Sequence, residues 1–150
     1  MKVVIQRVSS ASVTISEKKV ADIQKGLLVL VGIEEADTQD DIDWLVNKIV
    51  NLRIFGDENE VMNLSVKDIN GEIIVVSQFT IHASTKKGNR PSYLKAAKPE
   101  FSIPMYEQFV SSLEFVLEKH VQTGVFAADM KVSLLNDGPV TIIIDSKNKE

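Results

Sequence analysis

Hydrophobic positions fall along the chain in two rhythms. Val3, Val4, Ile5 and Val8 open an apolar run with Arg7 inside it, and Val13 and Ile15 alternate with polar neighbours. The pattern predicts two short strands around Ser9-Ser10-Ala11. Leu27–Ile33 is nearly continuous after Gly26, as expected of a strand buried on both faces. Ile73–Phe79 reads likewise, entered through Asn70-Gly71, as do Val132–Leu135 and Val140–Ile144, separated by Asn136-Asp137-Gly138-Pro139.

The second rhythm is helical. Ile42, Leu45, Val46, Ile49 and Leu52 follow the i, i+3, i+4, i+7 spacing, and Asp40, Asp41 and Asp43 crowd the start, where the helix dipole favours negative charge. Trp44 in this stretch is expected to pack. A second helix is predicted over about 102–119, with Pro104 in its first turn and Tyr106, Phe109, Val110, Leu113 and Leu117 on one face. Strands grouped around two main helices without strict alternation give an α+β fold. No linker divides residues 1–150, so a single domain is expected, with 146–150 a polar, frayed tail.

Composition narrows the chemistry. The chain has no Cys and two His, His82 and His120, which excludes disulfides, thiolate chemistry and a three-His metal site within one chain. No cofactor and no metal are expected. No apolar run is long enough to span a bilayer, and no signal peptide is evident, so a cytoplasmic protein is expected. The net charge is −4. Yet Lys86, Lys87, Arg90, Lys95 and Lys98 cluster between Ser84 and Pro99 without an acid, leaving 12 basic against 21 acidic residues elsewhere. One basic stretch on an acidic body marks a localised anion site or a solvated loop.

Two segments break their local pattern. Ser77-Gln78-Phe79-Thr80 puts polar groups at the end of an apolar strand, where a sheet presents side chains and backbone N–H groups to a ligand. Asn136-Asp137-Gly138-Pro139-Val140-Thr141 is either a plain turn or, since an X-Pro bond is where a cis peptide is accessible, a fixed bend of unusual geometry. His82 follows the first segment closely. His120 falls at a helix end, where a surface role is expected.

Together these segments resemble the D-aminoacyl-tRNA deacylase family with a Gly-cisPro motif. The blocks MKVVIQRVSSASVTI, KGLLVLVGIE, DWLVNKIVNLRIF, MNLSV, VVSQFT, KKGNRPSY and FAADMKVSLLNDGPVTIIID look like the family's in the same order. The resemblance implies a mixed, barrel-like sheet core and a carboxylic ester hydrolase that proofreads tRNA. Such enzymes release D-amino acids from tRNA and glycine mischarged on the alanine tRNA, and they act as homodimers. It implies that Ser77, Gln78, Phe79 and Thr80 form the catalytic pocket floor and that Phe126 and Met130 bind substrate. Gly138 and Pro139, held by Arg7 with their peptide bond cis, reach into the partner's pocket and exclude L side chains. Many relatives have Leu-Tyr-Ala-Asp where this chain has Ile81-His82-Ala83-Ser84.

The partner is then aminoacylated tRNA, engaged at its 3′ adenosine and acceptor stem, with Lys86, Lys87 and Arg90 on phosphates. Backbone N–H groups of Phe79 and Thr80 are candidates for the oxyanion, and Thr80 either positions water or attacks as nucleophile. Competing readings are a nucleic-acid-binding protein without hydrolytic activity and a deacylase of relaxed chirality acting on L-alanyl-tRNA.

Overall fold

A computed structural model describes residues 1–150. Strand β1 (Lys2–Ile15) is the spine. Along one edge it pairs antiparallel with β3 (Gly26–Gly32) over its first half and with β2 (Lys18–Ile23) over its second. Along the other edge runs β8 (Lys131–Asp145). Beyond β3 the sheet continues in parallel through β6 (Glu72–Ser77) to β7 (Gln122–Thr123). A small ribbon, β4 (Phe55–Gly56) with β5 (Met62–Leu64), lies apart.

The mixed sheet curls nearly into a barrel. Gln122, on the last strand, receives the Asp22 N–H at 2.7 Å and donates to the Asp22 carbonyl at 2.8 Å, linking β7 back to β2. Period-two alternation splits the apolar residues between two cores. Leu27, Val29, Val31, Ile73 and Val75 face the helices, whereas Leu28, Ile74 and Val76 fill the barrel with Val8, Ala11 and Val13.

Helix α1 (Gln39–Asn51) starts from a capping box in which Thr38 and Asp41 satisfy each other's backbone. Ile42, Leu45, Val46 and Ile49 are buried, and Trp44 is half-buried with Lys149 over its ring at 4.7 Å. Helix α2 (Pro99–Leu117) buries Tyr106, Phe109, Leu113 and Leu117. No helix is long and apolar enough to cross a membrane.

Four expectations are corrected. The two strands predicted around Ser9-Ser10 are one strand, because β8 bridges the polar stretch with register shifts near Val8 and Ser10. Those shifts move the inward set from Val8 to Ala11 and Val13. The two runs expected on either side of Gly138 are likewise one strand, and it is not buried on both faces: Leu135 is 63% and Ile143 67% exposed. Helix α2 begins at Pro99, which takes the first-turn position assigned to Pro104, so Pro104 lies inside the helix. The tail is anchored rather than frayed. The buried Met1 ammonium donates to Asp37 and to Ser146 Oγ (2.9 Å), and Lys147 reaches Asp41 at 2.8 Å.

Candidate active site

Where β6 ends, the chain turns. Ser77 is still in register with Val31, and the Gln78 N–H donates to the Val31 carbonyl at 2.8 Å. Residues Phe79–His82 then form a single 3-10 turn. The first N–H groups of such a turn have no partner within it, and those of Phe79 and Thr80 make no other turn, loop or cap hydrogen bond. The Gln78 amide donates to Thr80 Oγ, locking the two side chains together. His82 is buried behind this turn with Nε2 unpartnered. A Cβ on Gly32 would stand 2.9 Å from its ring and 3.2 Å from the Gln78 carbonyl, so the absent side chain at Gly32 is what admits both.

In front of the turn lies a cavity of about 650 Å³, mostly apolar. Its walls include Ser77, Gln78 and Phe79, with Phe126 and Met130 opposite. Thr80 is adjacent but not on the wall. Phe79 is 56% exposed and meets Tyr93 edge-on, ring centroids 5.0 Å apart. Phe126 packs edge-on against Tyr106, whose hydroxyl donates to the Val75 carbonyl at 2.9 Å; burial pushes that phenol up to about 12, so it remains a neutral donor. Met130 lies over Gly124, where a Cβ would come within 2.3 Å of its sulfur.

The basic segment stands beside this cavity. Ser84 and Ser92 exchange backbone hydrogen bonds (2.8 and 2.9 Å), closing a loop that holds Lys86, Lys87 and Arg90 in solvent. Its base is fixed by Ala97 N–H to the Ile33 carbonyl (2.9 Å) and Lys98 N–H to Glu35 Oε1 (3.0 Å), and Tyr93 and Lys98 line the cavity. None of these cations has a carboxylate partner.

Arg7, Gly138 and Pro139 lie elsewhere. They line a second depression that shares no residue with the first. The Gly138–Pro139 bond is cis. Arg7 Nε donates to the Asp137 carbonyl at 3.0 Å and Nη1 to the Ile54 carbonyl at 2.6 Å. Within one chain, therefore, the structure unites Ser77, Gln78, Phe79, Phe126 and Met130 and keeps the Gly138 loop apart.

Residues 4–145 match the family model described as D-Tyr-tRNA(Tyr) deacylase. The chain belongs to this family. Proteins named D-aminoacyl-tRNA deacylase from Flavobacterium psychrophilum and Flavobacterium johnsoniae are 77% and 74% identical to it over the full length of both chains. A solved structure titled c-Myc DNA Unwinding Element Binding Protein is 40% identical, with a TM-score of 0.91, covering 97% of this chain and 98% of that one. A probable eukaryotic D-amino acid tRNA deacylase shares the fold at 14% identity and a TM-score of 0.82, covering 95% and 97%.

Sequence reasoning passed over Tyr93 and Ser102 as site residues. Ser102 is buried and lines the cavity. Its signal was a small polar residue on the apolar stripe that continues through Tyr106, Phe109 and Leu113. Tyr93 carried no such signal, because it meets Phe79 only through the closure of the 84–92 loop. His120 pairs with Glu114 at 2.7 Å on the surface, as expected of a helix end.

Proposed function

We propose that the protein hydrolyses the ester joining a D-amino acid to the 3′ end of tRNA. Water adds to the ester carbonyl, the acyl–oxygen bond breaks, and the products are a free D-amino acid and tRNA with its terminal hydroxyl restored. The observation that carries this reading is the juxtaposition of the free Phe79 and Thr80 N–H groups, the apolar cavity and the unpaired basic loop, within a chain of this family.

An aminoacyl ester is already activated, so the protein has to hold it, place a water and stabilise the oxyanion. The two N–H groups point the developing charge to the start of the 3-10 turn, and removing one such donor costs about 3 kcal/mol of transition-state stabilisation. Thr80 serves as a positioning group: its hydroxyl accepts from Gln78, and no base stands ready to take its proton. Lys86, Lys87 and Arg90 take acceptor-stem phosphates.

The protein works as a homodimer in which the Gly138–Pro139 loop of one copy enters the cavity of the other. Two features support this. Loop and cavity share no residue in one chain, and β8, which bears the loop, exposes Leu134, Leu135 and Ile143 along its length. In the partner's cavity the loop main chain fills the space an L side chain requires, whereas a D side chain points outward. Selectivity thus comes from exclusion, and glycine, including glycine mischarged on the alanine tRNA, passes because it has nothing to exclude.

Matched deacylation of D- and L-tyrosyl-tRNA tests the reading. Release of the D-amino acid alone is expected; equal release of both, or of neither, overturns it. Nucleic-acid binding without hydrolysis is a second reading, favoured by the name of the 40% identical structure. It predicts duplex DNA binding and no turnover.

A further inference from the structure

The loop that carries Gly138 is an excursion within a strand pair. β1 and β8 are in register at Gln6 and Thr141 and again at Val8 and Asn136. While β1 advances from Gln6 to Val8, β8 passes from Thr141 back to Asn136, and residues 137–140 are extruded. Something must hold the two legs together at the neck, because the ladder hydrogen bonds are interrupted there.

That group is the Asn136 side chain. Its Nδ2 lies 3.1 Å from each of three oxygens: the Val140 carbonyl on the far leg, the Arg7 carbonyl on the neighbouring strand and Gln6 Oε1. Thr141 Oγ donates to the same Gln6 oxygen. All three partners of the Asn136 amide are acceptors. The amide must therefore present its NH₂, and a carboxylate in its place would face three oxygens with no hydrogen to share. The same Arg7 whose carbonyl accepts from Asn136 uses its guanidinium to hold the Asp137 carbonyl. Neck and tip are fastened to one residue.

We propose that Asn136 is a positioning residue for chiral selectivity: its amide closes the neck of the Gly138–Pro139 loop and sets how far that loop projects. This rests on the exclusion reading above. A loosened neck lets the loop retreat before an L side chain, while a substrate with no side chain to exclude is unaffected by the retreat.

The test compares Asn136→Asp and Asn136→Ala with the parent chain on D-tyrosyl-, L-tyrosyl- and glycyl-tRNA, with a thermal melt for each. Leaving partly buried acceptors unpartnered is expected to raise the L-to-D rate ratio about tenfold for Asn136→Asp and about threefold for Asn136→Ala. The glycine-to-D ratio should stay constant, which general loss of structure would not single out. A folded Asn136→Asp chain with an unchanged L-to-D ratio overturns the proposal, including the case where all three rates fall together. If Asn136→Asp does not fold, an unchanged ratio in Asn136→Ala overturns it. If the parent chain itself fails to distinguish D from L, the exclusion reading has failed and this inference falls with it.

Discussion

Arg7 and Gly138 are mutually fitted: a Cβ built on Gly138 would stand 2.7 Å from Arg7 Nη2. Gly138 also has φ +123, a conformation that L side chains rarely adopt. Gly138→Ala is therefore expected to destabilise by roughly 1–3 kcal/mol through backbone strain and to displace the guanidinium from the Asp137 carbonyl. A thermal melt reads the first effect, and increased hydrolysis of L-tyrosyl-tRNA relative to D reads the second. Arg7→Lys should loosen the loop without the backbone strain, since an ammonium cannot span both carbonyls as the fork does.

Mixing experiments test the proposed sharing of sites between copies. A chain disabled at Gln78 and Thr80 keeps its loop, and a Gly138→Ala chain keeps its pocket. When the two are co-refolded in equal amounts, L-tyrosyl-tRNA hydrolysis per Gly138→Ala chain should fall by about half, the statistical share of intact pockets receiving an intact loop in a two-fold dimer. No change on mixing would place loop and pocket in the same chain or remove the loop from selection.

Charge reversal in the 84–98 loop separates tRNA binding from chemistry. Lys86→Glu with Lys87→Glu should raise KM for aminoacyl-tRNA and flatten its salt dependence, by about one unit of log–log slope per lost phosphate contact. Hydrolysis of a minimal aminoacyl-adenosine should change little, since both residues stand outside the cavity. Equal loss on both substrates would contradict the assignment.

Gly32→Ala should injure the pocket floor from behind. The added methyl meets His82 and the Gln78 carbonyl, and overpacking of this kind costs about 1–3 kcal/mol. The expected kinetic result is a lower kcat on D-tyrosyl-tRNA, read alongside the melt.

Acid stability follows from the aspartates. Burial pushes Asp41 up, but Lys147, Ser146 and the Thr38 N–H outweigh it and hold the carboxyl well below the carboxylate range. The Asn59 and Val61 N–H groups lower Asp57, and the Ser65 N–H and hydroxyl lower Asp68. A depressed folded pKa stabilises above the unfolded value, 3.8 for these groups, and that stability is lost as pH falls through the folded value. Asp37, raised by burial against the pull of the Met1 ammonium, has the opposite sign. With three depressed groups against one raised, Tm should hold from pH 7 to about 5 and drop below about 4, less steeply in Asp41→Asn.

The fold was legible wherever burial imposes a period. Leu27–Ile33 and Ile73–Ser77 are buried on both faces, and α1 obeys its apolar stripe. It was illegible where pairing, not composition, decides. Ser9-Ser10 reads as a break, but β8 carries β1 through it, and the apolar residues of β8 suggest a core strand while several face outward. The tail reads as free because its anchors, Met1, Asp37 and Asp41, are remote in sequence. At the site, the two motifs were legible as interruptions of pattern. That one chain keeps them in different depressions is implied by the family resemblance but not by the spacing of the motifs, which says nothing of where β6 and β8 carry them.

Val132, on the cavity wall, and Gly138, at the tip of the distant loop, belong to the same strand. One length of backbone thus shapes both the cavity wall and the loop held apart from it. Inserting or deleting a single residue between them would reverse which way every following side chain looks, so the two can change shape only by substitution, never by sliding apart.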